Sequence, residues 1–174
     1  MRDYYMVLKK RALFVGRFQP FHNGHYKVVK KLLANYDELI IVIGSAESTL
    51  SLENPFSTGE RIVMIRSCFS GKELARIIIV PIRDIGDHNN WVAHLSSYTP
   101  KFDIVHSNND LVKTLFSKAG IQVKPIDFFD REIYEGKKIR ELMVRGDSWR
   151  SLVPKQVAKY IDSINGCERL RRIS

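Results

Sequence analysis

Short apolar runs alternate along the chain with segments whose apolar residues recur at helical spacing. Residues 12–15 form the first run, and five apolar positions then recur with lysines between them, at Val28, Val29, Leu32, Leu33 and Tyr36. This spacing predicts an amphipathic helix. Residues 39–43 form a continuous run of aliphatic side chains. Such a run is typical of a strand buried on both faces of a parallel sheet.

The same alternation continues towards the C-terminus. It predicts strands at 77–80, 104–105 and 123–127, and helices at 57–69, 89–98, 110–119, 137–145 and 154–164. The helix at 57–69 opens with Ser57 three residues before Glu60, which is the spacing of a capping box. Strands and helices in this order predict a doubly wound, three-layer α/β sheet, Rossmann-like in arrangement, in a single domain of residues 1–174.

Ligands of such sheets bind beyond the carboxyl ends of the strands. This rule directs attention to the loops that follow the predicted strands, at 16–25, 44–58, 81–91, 106–110 and 128–140. The first of these loops lacks the G-x-G-x-x-G fingerprint. A dinucleotide site of the dehydrogenase type therefore loses its main support.

The first loop carries the pair His22 and His25 where the amphipathic helix begins. Two residues three apart in the first turn of a helix share one face. They lie near unpaired backbone N–H groups and the positive end of the helix dipole, which is a favourable place for a phosphate. A single histidine would be interpreted as a cap or a surface residue. A pair that flanks Gly24 and follows Arg17 favours a phosphate site instead.

The charge of the chain also indicates anionic partners. Its formal net charge is +9, from 28 Lys and Arg against 19 Asp and Glu, which suits nucleotide phosphates or nucleic acid. The basic residues are scattered and are not interleaved with aromatic residues on strands, so we expect no nucleic-acid partner. The two cysteines, Cys68 and Cys167, have neither a disulfide nor a zinc spacing.

No apolar run approaches the roughly 18 residues that a membrane span requires. The N-terminal segment carries Asp3 and a basic cluster at 9–11 before any apolar run, which does not match a secretory signal. We therefore predict a cytoplasmic protein with no membrane partner.

The segment His22-Asn23-Gly24-His25 resembles the H-x-G-H signature of the nucleotidyltransferase superfamily of adenylyl- and cytidylyltransferases. Further blocks narrow the resemblance to the archaeal type of nicotinamide-nucleotide adenylyltransferase and extend it over nearly the whole chain, at 16–22, 44–46, 54–56, 59–61, 81–85, 91–92, 164–166 and 168–169. This resemblance implies that ATP and nicotinamide mononucleotide react to give NAD and pyrophosphate. It also implies Mg²⁺ held mainly by the phosphates rather than by protein side chains, and a homo-oligomer, namely a hexamer.

The resemblance further implies roles for single residues. The mononucleotide phosphate would attack the α-phosphorus of ATP in line. Because this nucleophile is already an anion, catalysis would consist of positioning and charge stabilisation without a general base. The catalytic set would be His22, His25, Arg17 and Arg140, with His25 at the α-phosphate. The ATP-binding set would add Gly16, Phe18, Gln19, Gly24, Ser107, Asn108, Asn109 and Lys137, with Gly24 leaving room for adenine or ribose.

For the second substrate, Trp91 resembles a tryptophan that stacks on the cationic nicotinamide ring. Asp84 and Ile85 resemble residues that read the carboxamide through backbone groups, and His88 stands where an asparagine contact is expected. Two structural alternatives remain open. Trp91 could be an anchor of the core, and residues 107–109 could be ordinary turn chemistry.

Residues 134–140 depart from the family pattern. Glu135 and Lys137 stand where the family commonly has Ser and Thr before the arginine. A hydroxyl contact to phosphate is lost. Lys137 could replace it as a point charge, and Glu135 would have to turn away. The alternative is that Lys137 and Lys138 are solvated loop residues.

Two other functions stay open at this point. One is transfer of an adenylyl or cytidylyl group to another phosphate, such as a flavin or pantetheine phosphate. The other is a non-catalytic module that binds nucleotides or nucleic acid. The loop at 81–91 with Trp91 favours nicotinamide, and the intact set of Arg17, His22, His25 and Arg140 disfavours a module without catalysis.

Overall fold

Five parallel strands form one sheet in the order β3-β2-β1-β4-β5. The structure is a computed structural model that describes residues 9–126 and 134–174. Its strands are β1 (Arg11–Gly16), β2 (Glu38–Ile43), β3 (Ile77–Pro81), β4 (Ile104–His106) and β5 (Val123–Lys124). The chain adds β2 and β3 on one side of β1, and then adds β4 and β5 on the other side, so the direction of winding reverses between β1 and β4. The sheet therefore has its ligand-binding switch point beside β1.

Strands β1 and β2 pair over their full length, from Arg11 opposite Glu38 to Gly16 opposite Ile43. All six residues of β2 are buried, so the continuous apolar run predicts this interior strand correctly. Since the paired strands end side by side, the loops after Gly16 and after Ile43 leave the same edge of the sheet. That edge carries the site described below.

Helices cover both faces of the sheet, and the predicted doubly wound α/β fold is confirmed. They are α1 (Asn23–Asn35), α2 (Thr58–Arg66), α3 (Gly71–Leu74), α4 (Trp91–Tyr98), α5 (Asp110–Lys118), α6 (Gly136–Arg145), α7 (Lys155–Ser163) and α8 (Gly166–Arg172). One core packs α1, α2 and α6 to α8 on the sheet, and a smaller core packs α4 and α5 on the opposite face. No helix in the described ranges is long and apolar enough to cross a membrane.

Three predicted elements differ in extent. The helix expected at 57–69 ends at Arg66, and α3 begins after Ser70, whose hydroxyl accepts the backbone N–H of Glu73. Helix α4 starts at Trp91 because the carboxylate of Asp87 accepts the Asn89 N–H and the Asn90 side-chain amide, which folds residues 87–90 into a turn. Strand β5 spans two residues. The strand expected at 123–127 therefore ends early, because Pro125 and Ile126 are not part of it, and Asp127 lies outside the described residues.

Helix α8 is absent from the sequence-based prediction. Asn165, with φ of 51°, separates it from α7 in a left-handed turn. Arg169 then joins α8 to α2 by two hydrogen bonds to the carboxylate of Glu60, at 2.8 and 2.9 Å. This contact spans more than 100 residues of sequence, so no local pattern signals it.

Candidate active site

Two cavities meet at Arg17, at the carboxyl edge of the sheet. The first, about 540 Å³, is called the sheet-edge cavity and is lined by Arg17, Ser45, Asp84, Ile85, His88, Trp91, Ser107 and Asn109 with neighbouring residues. The second, about 610 Å³, is called the arginine cavity and is lined by Arg17, Leu52, Glu53, Glu135, Lys137, Arg140 and Glu141 with neighbouring residues. Arg17 lines both and is exposed. Described residues of all five loops singled out from the sequence thus line the two cavities, and residues 128–133 of the last loop lie outside the described residues.

The histidine pair forms the N-terminus of α1. The Nδ1 atom of His22 accepts the backbone N–H of His25, and Nδ1 of His25 accepts the backbone N–H of His22, both at 3.3 Å. The two rings stack with centroids 3.5 Å apart, so the predicted shared face is confirmed. Because a backbone N–H can only donate, both Nδ1 atoms must be unprotonated. Each neutral ring therefore carries its proton on Nε2.

Aromatic rings enclose the pair. Rings of Phe18 and Phe21 lie 4.8 and 5.7 Å from the ring of His25, and Tyr134 stacks on His22 at 6.4 Å. Burial lowers the pKa of His22 to about 4. Burial, and secondly the charge of His22, lower the pKa of His25 well below its usual value. At neutral pH the pair therefore offers two Nε2–H donors rather than two cations.

The helix terminus differs from the expectation in one respect. The backbone N–H groups of His22 and His25 are not open to a ligand, because the two rings take them. Gly24 is also closely packed. A Cβ there would lie 3.1 Å from Nδ1 of His22 and 3.1 Å from Cβ of Tyr134. Packing within the protein is therefore one reason for a glycine here, and the approach of adenine or ribose to the start of the helix stays a prediction.

Two other side chains of the first loop build the loop itself. Phe18 is 1% exposed, and its ring lies 2.8 Å from where a Cβ at Gly16 would be, which explains the glycine. Gln19 is 4% exposed and makes two hydrogen bonds to the backbone of Phe56, at 2.8 and 3.0 Å. Any contact of Phe18 or Gln19 with ATP therefore falls to their backbone groups.

Arg140 is anchored before any ligand arrives. Its Nη1 donates to the carbonyl of Gln19 at 2.8 Å, and its Nε donates to the carbonyl of Leu52 at 2.7 Å. Gly136 permits this arrangement, because a Cβ there would lie 3.1 Å from the carbonyl of Gln19 and 3.3 Å from Nη1 of Arg140. Burial and the nearby Arg17 lower the pKa of Arg140. Arg140 is thus a fixed cation on the wall of the arginine cavity.

Glu135 corrects a prediction from the sequence. The expectation was that it turns away from the site, but it lines the arginine cavity together with Lys137. Its carboxylate, with those of Glu53 and Glu141, supports the charge of Arg140. Glu135 is the N-cap residue of α6, but its side chain makes no capping hydrogen bond. Its carboxylate is therefore not held at the helix N-terminus.

On the other side of Arg17, the acidic residue Asp84 is already engaged. Its Oδ2 accepts the hydroxyl of Ser45 at 2.7 Å, and its backbone N–H donates to Glu47 at 3.1 Å. Of the backbone groups predicted to read the carboxamide, the Asp84 N–H is therefore taken. Ile85 and His88 are exposed on the same cavity.

Trp91 fits both interpretations given to it. Its ring packs edge-on against Phe116 at 5.8 Å and is partly buried against the smaller core. It also lines the sheet-edge cavity. A tryptophan held in this way by the core presents its remaining surface to the cavity in a fixed orientation.

The side chains of 107–109 show the turn chemistry given as the alternative. Asn108 makes two hydrogen bonds to the backbone of Ile126, at 2.6 and 3.0 Å. Asn109 caps α5 by accepting the Val112 N–H at 3.1 Å, and Ser107 accepts the Asn109 N–H at 3.1 Å. Ser107 and Asn109 nevertheless line the sheet-edge cavity.

Arg61 received no role from the sequence, although it stands inside one of the matching blocks. Its side chain is fully buried and reaches the carbonyl groups of Arg17, Gly44 and Ser45. The sequence does contain a signal that Arg61 is buried. Arg61 precedes Met64 and Ile65 by three and four residues and so falls on the buried face of α2. A charged residue on such a face is unusual and requires partners.

The comparisons with known proteins agree with this geometry. The cytidylyltransferase-like family matches residues 13–142. A nicotinamide-nucleotide adenylyltransferase of Archaeoglobus fulgidus is 47% identical over 94% of this chain and 97% of its own length. Another from Saccharolobus solfataricus is also 47% identical, over 94% and 96%. The chain belongs to the nicotinamide-nucleotide adenylyltransferase family.

Solved structures of more distant proteins show the same fold as this adenylyltransferase-family chain. One is the bifunctional NMN adenylyltransferase/ADP ribose pyrophosphatase of Francisella tularensis, complexed with AMP and manganese, with a TM-score of 0.73 at 21% identity. The match covers 95% of this chain and 52% of that one, so this chain spans about half of the bifunctional protein. A nicotinic acid mononucleotide adenylyltransferase of Plasmodium falciparum matches with a TM-score of 0.63 at 14% identity, over 92% and 98%.

The donors of Arg17, Arg140 and the histidine pair suit phosphate oxygens more than a metal ion. Arginine forks and imidazole Nε2–H groups donate hydrogen bonds and carry no lone pair for Mg²⁺. Within residues 9–126 and 134–174, no three side chains of His, Cys, Asp or Glu come together as a metal site.

Proposed function

We propose that this protein joins ATP and nicotinamide mononucleotide to give NAD and pyrophosphate. One observation carries the proposal. In a chain of the nicotinamide-nucleotide adenylyltransferase family, the stacked pair of His22 and His25 forms the N-terminus of α1, in the same loop as Arg17, on which the two cavities converge. Each cavity has room for part of a nucleotide, and Arg17 marks the point where the two substrates would meet.

The step is a substitution at the α-phosphorus. An oxygen of the mononucleotide phosphate forms a bond to this phosphorus, the bond from it to the bridging oxygen breaks, and pyrophosphate leaves with that oxygen. The attacking oxygen needs no deprotonation. The chain contributes positioning and donors for the charge that develops on the phosphate oxygens.

The histidine pair suits this task because it is neutral. With Nδ1 of each ring bonded to the backbone, only Nε2–H is left to donate to a phosphate oxygen. His25 donates to the α-phosphate and His22 to a neighbouring phosphate oxygen. Arg140 and Lys137 face the pyrophosphate from the arginine cavity, and the planar fork of Arg140 fits phosphoryl oxygens better than the ammonium of Lys137 does.

The nicotinamide nucleotide occupies the sheet-edge cavity in this proposal. Trp91 lies against its cationic ring, and Ile85 and His88 lie near the carboxamide. The adenosine contacts come from the backbone and edges of residues 107–109. Mg²⁺ is held by phosphate oxygens, and when bound it neutralises phosphate charge. This choice of ion follows the family resemblance and is tested by metal dependence of the rate.

The deciding experiment is incubation of the protein with ATP, Mg²⁺ and nicotinamide mononucleotide, with NAD as the measured product. Parallel reactions replace the acceptor by flavin mononucleotide or phosphopantetheine, and ATP by CTP. NAD formed faster than any other product supports the proposal. A faster reaction with another acceptor overturns it in favour of a relative with different specificity.

A protein that forms no product in any of these reactions would be a binding module. Filter binding with RNA and DNA at physiological salt tests that outcome directly. Strong retention of nucleic acid without product formation would overturn the adenylyltransferase proposal.

Assembly and location remain predictions. Apolar side chains outside the two cavities, such as Leu50 and Tyr98, are each 60% exposed, and association of identical subunits would cover such surface. A hexamer is the state that the family resemblance implies. Light scattering of the purified protein tests it, and a mass near the 20.1 kDa of one chain would contradict it. We also propose a cytoplasmic location, which cell fractionation tests.

A further inference from the structure

Arg61 is a cation with no exposed surface. Its guanidinium has five N–H groups, and the structure gives it five hydrogen bonds. Nη1 donates to the carbonyls of Arg17 and Gly44 at 3.0 and 2.9 Å, and Nη2 donates to the carbonyl of Ser45 and the hydroxyl of Thr58 at 3.1 and 3.0 Å. Nε donates to the carbonyl of Ser57 at 3.4 Å. The donor capacity of the side chain is therefore fully used.

All five acceptors are neutral. Among the described residues, no carboxylate lies within ion-pair distance of this guanidinium; burial lowers the pKa of Arg61, and the charge of Glu47 offsets only part of that shift. Burial of a charge without a direct ion pair opposes folding, even where hydrogen bonds satisfy every donor. An apolar residue at this point of α2 would avoid that cost. The position of the acceptors indicates that the cation has a structural role that an apolar residue could not fill.

Three of the five acceptors come from the ends of the two strands that carry the site, and the other two, Ser57 and Thr58, lie at the start of α2. Arg17 follows β1, and Gly44 and Ser45 follow β2. The last backbone bond between these segments is from the Gly44 N–H to the Gly16 carbonyl, at 3.0 Å. Within the described residues, no backbone hydrogen bond joins the two segments beyond that point, and the Arg61 side chain connects them there instead. It thereby fixes the start of the Arg17 side chain, which lines both cavities.

The same guanidinium reaches the other substrate through Ser45. This residue has a φ of 48°, a left-handed conformation that an ordinary side chain rarely adopts. Its carbonyl accepts from Arg61, and its hydroxyl donates to the carboxylate of Asp84 at 2.7 Å. Movement of the Arg61 guanidinium would therefore displace both Arg17 and Asp84.

We propose that Arg61 is a positioning residue for adenylyl transfer: it holds the ends of β1 and β2 at the spacing that places Arg17 and the Ser45–Asp84 pair against the two substrates. Its buried positive charge also favours the anionic phosphates, and salt screens such a charge far less than an exposed one. The kinetic form of this inference rests on the proposed function.

The test compares Arg61→Lys with a matched control, Arg169→Lys. Lysine keeps the charge but has three donors on a point-like ammonium, which cannot bridge both strand ends. Arg169 is a second largely buried arginine that also binds α2, through Glu60, and within the described residues its guanidinium hydrogen bonds go to Glu60 rather than to the ends of β1 and β2. Both variants are assayed well below their melting temperatures, with separate kcat and KM values for each substrate.

We expect Arg61→Lys to lower kcat by about 10- to 100-fold, because a small misplacement of the reacting groups has an effect of this size, and to raise KM for both substrates. Arg169→Lys should keep its kinetic constants within about twofold, even if it melts at a lower temperature. A folded Arg61→Lys protein whose constants match those of the parent would overturn the proposal, as would equal losses in both variants.

Thr58→Val supplies the test if Arg61→Lys does not fold. It removes one acceptor of Nη2 and leaves the guanidinium in place, and we expect a smaller loss of kcat, about threefold or more. Calorimetric binding of ATP to parent and variants needs no turnover. A parent that makes no NAD overturns the proposed function, whereas unchanged ATP affinity in the variants overturns the role of Arg61.

Discussion

Acid should destabilise this protein through the histidine pair. Burial lowers the pKa of His22 from 6.5 to about 4 in the folded state, and the pKa of His25 falls in the same direction. Between pH 6.5 and 4, the unfolded chain therefore binds protons that the folded chain does not. The free energy of unfolding must then decrease as the pH falls through this window, and above pH 6.5 the pair causes no further change.

The size of the effect follows from the two pKa values of His22. A difference between 6.5 and about 4 corresponds to about 3 kcal/mol, against a total stability of roughly 5–15 kcal/mol for a typical domain. The carboxylates act at lower pH. Lys30 and Ser70 hold the pKa of Glu73 at about 2, so its contribution is lost only as the pH falls from about 4.5 towards 2.

His22→Asn isolates the contribution of His22. Asparagine is a favoured N-cap residue whose side-chain oxygen can accept the His25 N–H, and it does not titrate. Urea unfolding of parent and variant should be measured at several pH values between 7.5 and 4. We expect the stability of the parent, relative to the variant, to fall by about 3 kcal/mol across that range. Parallel pH dependences for the two proteins would refute a buried, neutral His22.

Three further perturbations test separate parts of the structure. Trp91→Ala should raise KM for nicotinamide mononucleotide by about fivefold or more, and that for ATP much less; equal changes with a large drop in melting temperature would instead indicate a core anchor. Lys137→Ala should raise KM for ATP several-fold at low salt and much less at high salt, whereas Arg140→Ala should reduce activity at both; a Lys137→Ala enzyme identical to the parent at low salt would remove Lys137 from the site. Gly166→Ala should destabilise by about 1–3 kcal/mol, because its Cβ would lie 2.9 Å from the nearest side-chain atom. Its control is Gly71→Ala, where a Cβ meets nothing within 4 Å; equal melting temperatures for the two would contradict the packing argument.

The strands and the first helix could be predicted because their signals are local. Strand β2 is buried along its whole length, and its run of aliphatic residues predicts this burial. The five apolar positions of α1 are all buried for the same reason. Helix α8 depends on the left-handed Asn165 and on the contact of Arg169 with Glu60, and contacts between distant segments leave no periodic trace in the sequence.

The candidate site was predictable in position but less so in the use of its side chains. Gln19 and Asn108 follow strands in loops that border the site, where an amide could equally bind a ligand or the protein backbone. In the structure each makes a pair of hydrogen bonds to the backbone of another loop, at Phe56 and at Ile126. Residue type and position alone do not distinguish the two uses, because both require the same donor and acceptor.

Charged residues from separate segments of the chain line the arginine cavity. The motif at 134–140 alone therefore led to the wrong expectation for Glu135. Residues 134–140 contribute Glu135, Lys137 and Arg140, but Arg17 comes from the loop after β1 and Glu53 from the loop after β2. Three carboxylates, from Glu53, Glu135 and Glu141, line the cavity beside its cations, so net charge attracts a polyphosphate less than the cations alone would. Directional hydrogen bonds from the Arg140 fork must then contribute much of the preference for phosphate oxygens. This division of labour is why removal of the exposed Lys137 should matter only where salt is low.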